Sequence, residues 1–307
     1  MTSVAAPPRG SAEPPAPLDR ATTDAGRSPR RSRRSHLKPR WLWVHAALAY
    51  IFLFAPIAVL VVFSFNSARS GSKFDHFSTT WYRTLSENEN IQRAFANTMK
   101  VGLVATAAAT VIGTLAAFAL SRYRFRGRLG YSTFIFVPLV IPEVVQGVSL
   151  LVFFLNILHL QLGLRTLMIA HTTFCISFVI VVVKARLANF DQRLEEAAAD
   201  LGATPLQSFR RIVLPLAAPG IAAGAVLAFT LSFDDVIISS FNAGVGSTTL
   251  PLYIYGQTKV GVAPAVNALS TCILAFTSTL LLVGMVVSSR SRRRGTSSGL
   301  DTSAFGG

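Results

Sequence analysis

The stretch of sequence that decides the fold covers residues 189–215 and reads NFDQRLEEAAADLGATPLQSFRRIVLP. Apolar runs long enough to cross a membrane flank it on both sides. Apolar and small residues recur in it at helical spacing, after a capping residue that is either Asp191 or Asn189. Gly202 stands where a helix needs a left-handed residue to end, and Thr204 begins the signature of a capping box. The stretch therefore predicts two short helices joined by a glycine turn, in water between two membrane spans.

Several positions of this stretch resemble the EAA loop of the membrane subunits of bacterial ATP-binding-cassette (ABC) importers. The resemblance implies that residues 189–215 form a cytoplasmic coupling loop, which inserts into a groove on a separate ATPase subunit. The residues that carry the resemblance, and that it marks as ATPase-coupling residues, are Glu196, Ala197, Ala198, Gly202, Ile212, Leu214 and Pro215. Pro215 is also expected to end the second helix, because proline breaks helices. The alternative is an ordinary cytoplasmic loop that happens to be helical.

The composition indicates a polytopic membrane protein. Of the 307 residues, 51% are hydrophobic and only 14% are charged, and the mean hydropathy is +0.49; a soluble domain carries about 25% charged residues. The net charge of +15 is concentrated at the two ends of the chain, with nine Lys or Arg in residues 1–40 and four in residues 290–294. This placement argues against a nucleic-acid partner. Cys175 and Cys272 stand alone in apolar runs and indicate neither a disulfide framework nor a metal site.

Six apolar stretches are each long enough to cross a bilayer core, which needs about 20 helical residues. They cover approximately residues 41–65, 97–121, 131–156, 165–185, 216–239 and 266–289. The fold class predicted is an all-α membrane protein with six transmembrane helices, and the resemblance implies the type I (MetI-like) permease fold over residues 41–289. Small residues spaced by four in the second and fifth stretches predict close helix packing. They are Ala105, Ala109, Gly113 and Ala117, and then Gly220, Gly224 and Ala228.

The basic residues predict the orientation of these spans. With the N-terminus in the cytoplasm, 22 of the 29 Lys and Arg lie on the cytoplasmic side, as the positive-inside rule requires. Residues 1–40 then form a disordered basic cytoplasmic tail, and residues 290–307 form a second cytoplasmic tail. Residues 32–38 also resemble a twin-arginine export signal, but the apolar run that follows is too long for a cleavable signal. We therefore expect a multi-pass protein of the bacterial inner membrane, surrounded by lipid.

Acidic residues mark a candidate substrate path. Glu143, Asp234 and Asp235 lie inside the spans, whereas no Lys or Arg lies deep in any of them. Each carboxylate facing lipid would cost about 2.5–3.5 kcal/mol, so burial in a bundle or a cavity is expected. At 1.5 Å per residue, Glu143 would lie about 18 Å from the cytoplasmic end of its span and the aspartates about 27 Å from theirs. A negative lining suits a cationic substrate; alternatively, some of these carboxylates cap a helix break or form hydrogen bonds within the bundle.

Two prolines interrupt the third span. Pro138 and Pro142 are expected to kink or break the helix. Broken backbone at membrane depth is tolerated where it is buried in protein or lines a cavity. The pair therefore indicates either a transport pathway at this span or a simple kink.

A second resemblance concerns the substrate. Residues 229–236, together with Ile141-Pro142-Glu143 and Thr249-Leu250-Pro251, are similar to the spermidine/putrescine (PotC-like) branch of these permeases. The resemblance implies polyamine transport and places Trp81 near the substrate entrance. An aromatic face attracts an ammonium group, with about 0.5–2 kcal/mol of stabilisation. Trp81 is equally explained as an anchor at the membrane interface.

The chain itself is not expected to be an enzyme. It contains no G-x-x-x-x-G-K-[ST] stretch that could cradle ATP phosphates, no nucleophile–base arrangement stands out, and no cofactor or metal is predicted. The resemblance implies three kinds of partner: a dimer of ATP-binding subunits, a second permease subunit and an extracytoplasmic substrate-binding protein. The alternative function is an ion-gradient-driven secondary transporter, with Glu143 or the aspartate pair as a proton relay. A membrane scaffold or export component is a third class, indicated only by the tail.

Overall fold

The computed structural model describes residues 40–68, 73–123, 125–188, 190–191, 193–260 and 264–296. The predicted N-terminal tail, except residue 40, lies outside these residues, as do residues 297–307 of the predicted C-terminal tail; residues 290–296 instead continue the last helix. The chain divides into two compact units, Met1–Ile51 and Phe52–Gly307. In the first unit, residues 40–51 are helical, and residues 41–51 are largely exposed.

The described residues are almost entirely helical, apart from an isolated bridge between Asn66 and Phe77. Two of the helices, α5 and α8, continue directly into a π-helical turn, Phe153–Ile157 and Phe209–Val213 respectively. The α-helices are α1 Arg40–Phe63, α2 Thr80–Glu87, α3 Glu89–Arg122, α4 Arg128–Val140, α5 Glu143–Val152, α6 Leu164–Ala188, α7 Arg193–Asp200, α8 Pro205–Ser208, α9 Leu214–Asp234, α10 Ile237–Asn242, α11 Leu250–Val260 and α12 Pro264–Thr296.

Within the described residues, five helices are long and apolar enough to cross a membrane, and the bent pair α4 and α5 is the sixth if the two helices count as one span. The five are Trp41–Phe63, Glu89–Arg122, Leu164–Ala188, Pro205–Asp234 and Pro264–Gly284. The fold class predicted from the sequence, an all-α protein with six spans, is therefore confirmed in outline. The predicted spans differ from the structure in three main places: the second begins at Glu89 rather than at residue 97, the third is broken in the middle, and the fifth ends at Asp234 rather than at residue 239.

The third span is not one helix, because α4 and α5 meet at an angle of 109°. Pro142 has no N–H to continue the helix and disfavours helical backbone at the residue before it. Ile141 accordingly takes an extended conformation, with φ −70° and ψ 132°. The side chain of Gln146 satisfies the carbonyls left at the break, since its Nε2 donates to Pro138 O at 2.7 Å and to Ile141 O at 2.9 Å. The break is thus formed by one proline and stabilised by one glutamine.

The centre of the molecule is formed by α3, α6 and α9, which pack against one another along their lengths. Gly113 of α3 approaches α6 so closely that a Cβ atom on it would lie 2.8 Å from Val179 Cβ. Near the other end of α6, a Cβ on Gly220 of α9 would lie 2.6 Å from Arg186 Cβ. The alanines of both stripes, Ala105, Ala109, Ala117 and Ala228, are fully buried. The prediction that the two small-residue stripes pack helices closely is confirmed.

Gly113→Leu is expected to destabilise the protein. The added side chain has no room between α3 and α6, and overpacking of this kind costs roughly 1–3 kcal/mol. The thermal unfolding midpoint of the purified protein in detergent should therefore fall by several degrees. The matched control is Gly130→Leu on α4, where no atom lies within 4 Å of an added Cβ. Equal midpoints for the two variants would contradict the close α3–α6 contact.

A candidate coupling hairpin and an acidic cluster

The two helices predicted from residues 189–215 are present as α7 and α8, joined by a glycine turn (hereafter the hairpin, residues 193–213). Asp191 Oδ1 accepts a hydrogen bond from Arg193 N at 3.0 Å, at the start of α7; the other capping candidate, Asn189, lies outside the described residues. Gly202 has φ +82°. Its N–H donates to Ala199 O, and the N–H of the next residue donates to Ala198 O, both at 2.9 Å. This pair of bonds is a Schellman motif, so the predicted glycine turn is confirmed.

The second arm of the hairpin begins with the predicted capping box and continues further than predicted. Thr204 Oγ1 accepts from Gln207 N at 3.3 Å, and Gln207 Oε1 accepts from Thr204 N at 2.9 Å. The prediction that Pro215 ends this helix is wrong, because the chain stays helical into α9. Leu214 N donates to Phe209 O, five residues back. The helix thus widens just before Pro215, which has no N–H to donate, and passes the proline without breaking.

The seven residues predicted to couple to an ATPase differ in their exposure. Glu196, Ala197, Gly202, Leu214 and Pro215 are exposed, Ile212 is half-buried and Ala198 is buried. Three large apolar side chains are also exposed on the hairpin: Leu194 on the first arm, at 48%, Leu201 beside the turn, at 89%, and Leu206 on the second arm, at 63%. The sequence placed Leu201 on the apolar face of α7 but gave no sign that this residue would be uncovered.

The hairpin is attached to the end of α3 by contacts that the sequence did not indicate. Arg122, the last residue of α3, forms an ion pair with Glu195 of α7. The Arg122 guanidinium also lies 5.1 Å from the centre of the Phe190 ring. One turn earlier, the ring of Phe118 packs edge-on against Phe209 of the second arm, with centroids 5.0 Å apart. In the sequence analysis, Arg122 was only one of the 22 basic residues that predicted the orientation of the spans.

The three carboxylates predicted to line a substrate path lie close enough together for their charges to interact. On the assumption of straight helices, the sequence placed Glu143 about 9 Å deeper in the membrane than the aspartates; that estimate did not include the break in the third span. Because the third span is broken, α5 begins at Glu143 and packs against α10, which follows Asp234 and Asp235. The packing is tight, since a Cβ on Gly147 would lie 2.8 Å from Phe241 Cδ2.

Asp235 has a structural role in this cluster. Its side chain is buried; Oδ1 accepts from Ile238 N at 3.2 Å and Oδ2 accepts from Ser239 N at 2.8 Å. The carboxylate therefore caps α10, as in the alternative considered from the sequence, in which an acidic residue caps a helix break. Asp234, the last residue of α9, is exposed, and Glu143 is half-buried. These two carboxylates are the ones available to a solute.

His171 on α6 stabilises the break between α9 and α10. The sequence did not single this residue out. It is 1% exposed. Its Nδ1 lies 2.8 Å from Ser232 Oγ on α9, and its Nε2 lies 3.1 Å from Ser239 Oγ on α10. The same Nε2 is 3.5 Å from Asp235 Oδ2. One imidazole thus joins the helices on both sides of the break, through partners more than 60 residues away in sequence.

Trp81 lies on α2 and is half-buried. Its Nε1 donates to Asn66 O at 2.7 Å, and its ring packs against an apolar cluster that includes Leu85 and Leu250. The indole is therefore fixed in place by its neighbours. This geometry is compatible with both roles expected from the sequence, a site near the substrate entrance and an interfacial anchor.

Comparison with known proteins identifies the family. Residues 109–294 match the family described as "Binding-protein-dependent transport system inner membrane component". The chain belongs to this family. It is accordingly a multi-pass inner-membrane permease of an ABC importer, and the alternative of a secondary transporter is not favoured.

Similar permeases with curated functions include several named for polyamines. The chain is 45% identical to the spermidine/putrescine transport system permease protein PotC of Escherichia coli K12, over 78% of this chain and 90% of the relative. It is 42% identical to the putrescine permease PotI of the same strain, over 76% and 85%. A more distant relative is the sulfate permease CysT of Salmonella typhimurium, which is 30% identical over 80% of this chain and 90% of the relative.

Solved structures of ABC importers share the fold of this permease. A bacterial transporter that imports the acidic polysaccharide alginate superposes with a TM-score of 0.62 and 18% identity, covering 83% of this chain and 98% of the other. The inward-facing methionine transporter MetNI superposes with a TM-score of 0.56 and 22% sequence identity, covering 66% of this chain and 96% of the other. The MetI-like permease fold implied by the sequence resemblance is therefore confirmed.

Proposed function

We propose that this permease imports spermidine, putrescine or a similar small cationic solute. The observation that carries the proposal is the cluster of Glu143, Asp234 and Asp235 at two helix breaks. No lysine or arginine lies deep in the spans to balance these carboxylates. Ammonium groups of a polyamine would supply the missing positive charge, whereas an anion would need basic side chains or free helix N-termini, and the N-termini of α5 and α10 already carry Glu143 and Asp235. The identity to PotC and PotI supports the same substrate class.

Within the path, each predicted residue has its own task. Glu143 and Asp234 contact the solute, since their carboxylates are at least partly exposed. Asp235 keeps α10 in place and adds its charge to the field of the site without direct contact. Trp81 lies near the entrance and offers its aromatic face to an ammonium group. The broken third span is the backbone opening around which the path forms.

The hairpin is the site at which ATP hydrolysis acts on the permease. It lies in the cytoplasm with both chain termini, and it inserts into a separate ATPase subunit through Glu196, Ala197 and the exposed Leu201. Gly202 sets the angle between its arms. Two ATPase subunits, a second permease subunit and an extracytoplasmic substrate-binding protein complete the transporter. Closure of the ATPases moves the hairpin, and the helix bundle converts that movement into alternating access.

Reconstitution into proteoliposomes tests this function. The permease, co-purified with the other membrane and ATPase subunits of its own system, should take up labelled spermidine only when ATP and the binding protein are supplied. Unlabelled putrescine should compete for uptake, and sulfate, the substrate named for the more distant relative, should not. Uptake that continues without the ATPase subunits would instead support an ion-gradient-driven carrier. Competition by sulfate alone would contradict the cationic substrate class.

A further inference from the structure

One helix connects the hairpin with the opposite end of the bundle. The 34 residues of α3, Glu89–Arg122, span about 50 Å at 1.5 Å per residue. Along this length α3 packs against both α6 and α9. It contains no proline, which is a frequent cause of sharp kinks. Movement of one end of such a helix is transmitted to the other.

At the hairpin end, α3 contacts both arms of the hairpin. Arg122 pairs with Glu195 on the first arm, and Phe118 packs against Phe209 on the second. The two charged side chains are only 22% and 27% exposed. Water screens a partly buried pair of this kind less than it screens a pair on an open surface. The ion pair joins a positive side chain on α3 to a negative one on the hairpin, so the two charges can be exchanged between the residues. The contact between two phenyl rings offers no such exchange.

At the opposite end, α3 binds the loop between α10 and α11, residues 243–249 (hereafter the far loop). Asn97 Nδ2 donates to Gly246 O at 3.0 Å and to Thr248 O at 3.1 Å. Immediately after the loop, Leu250 N donates to Thr98 Oγ1 at 2.7 Å. Both side chains of α3 are buried. The far loop is therefore fixed to α3 by three hydrogen bonds.

We propose that α3 transmits the movement of the hairpin to the far loop, and that the Arg122–Glu195 ion pair is the joint between hairpin and helix. The inference rests on the proposed coupling function and extends it, since it names the contact through which the hairpin acts. Arg122 and Glu195 are positioning residues, because neither reaches the acidic cluster or the exposed tip of the hairpin. In this arrangement the far loop changes its surroundings when the ATPases close.

Thiol labelling at the far loop tests the proposal without depending on the identity of the solute. Val245 is fully exposed, so Val245→Cys would report on the loop in a Cys272→Ser background, which removes the exposed native cysteine. The assembled transporter is labelled with a membrane-impermeant maleimide, with and without ATP and vanadate. When the Arg122–Glu195 pair is unaltered, we expect the labelling rate of Val245→Cys to change about fivefold or more once vanadate traps the nucleotide on the ATPases. A change of this size is usual for coupling between sites.

Charge exchange at the joint provides the decisive comparison. Arg122→Glu and Glu195→Arg, made singly, place like charges together and should abolish the nucleotide-dependent change. The double exchange restores the pair and should recover most of it. Arg126→Glu is the matched control, since it makes the same charge change at an exposed position four residues further along, and it should respond normally. If Arg122→Glu fails to insert, Glu195→Gln on the hairpin removes the pair without altering α3.

The outcomes separate this joint from the hairpin function on which it rests. Normal responses in both single variants, or a double variant as impaired as the singles, would overturn the joint. A response lost in Gly202→Val but kept in the joint variants would leave the hairpin function standing and refute the role of the ion pair. A response kept in Gly202→Val as well would refute the coupling role of the hairpin itself.

Discussion

Replacing Gly202 with valine is expected to leave ATP hydrolysis measurable while lowering uptake per ATP hydrolysed by about tenfold. Gly202 has φ +82°, a conformation that costs an L-residue roughly 1–2 kcal/mol and is a true outlier for a β-branched side chain. No atom lies within 4 Å of an added Cβ. The effect therefore comes from the backbone rather than from a clash: the Schellman turn is lost, and the two arms of the hairpin change their angle.

Gly202→Asn is the matched control for this prediction. Asparagine enters the left-handed region more readily than other residues with a side chain, and the open space around the turn accommodates its amide. This variant should keep most of the coupled uptake. The measurement is the ratio of spermidine taken up to ATP hydrolysed in proteoliposomes, after the amount of inserted permease has been matched. Equal ratios for the two variants would show that the geometry of the turn has no part in coupling.

Asp234→Asn is expected to reduce polyamine uptake strongly without destabilising the protein. A hydrogen bond to a charged group contributes about 1.5–3 kcal/mol, so its loss corresponds to a roughly 10- to 100-fold decrease in uptake at low solute concentration. Asp234 is exposed at the end of α9, and the amide removes its charge at almost constant size. Initial uptake rates measured over a range of spermidine concentrations would show the effect, mainly in KM.

The neighbouring aspartate provides the contrast. Asp235→Ala removes the cap of α10 and should lower the thermal unfolding midpoint, since losing such a cap costs about 0.5–2 kcal/mol. Asp234→Glu keeps the charge and should retain much of the uptake. An unchanged KM in Asp234→Asn would remove this carboxylate from the path. Unfolding midpoints lowered equally in Asp234→Asn and Asp235→Ala would assign both residues a structural role.

The features that the sequence predicted correctly are those formed by residues close together in the chain. The capping box joins Thr204 to Gln207, and the Schellman motif joins residues five apart. Their geometry follows from local backbone chemistry, which a short stretch of sequence contains. The close packing at the small-residue stripe on α3 was predicted equally well, because the spacing of these residues matches the period of the helix.

The features that the sequence missed depend on residues far apart in the chain. Arg122 and Glu195 are 73 positions apart, and His171 and Ser239 are 68 apart. No local pattern brings such residues together. The third span shows which part of a feature can be predicted from local sequence and which part cannot. Pro142 predicts a kink or a break, whereas the angle of 109° depends on the packing of α5 against α10. The position of Glu143 relative to the aspartates depends on the same packing, which a count of residues along straight helices does not include.

The amide of Gln146 has a consequence for how this permease can move. Because Gln146 of α5 donates to two carbonyls on the α4 side of the break, the corner is closed by the protein's own atoms and needs no water molecule to persist. We expect such a corner to keep its angle, so that α4 and α5 shift together during a transport cycle. Glu143, the first residue of α5, would then travel with α4, and the distance from its carboxylate to Asp234 would change only where α4 moves relative to α9.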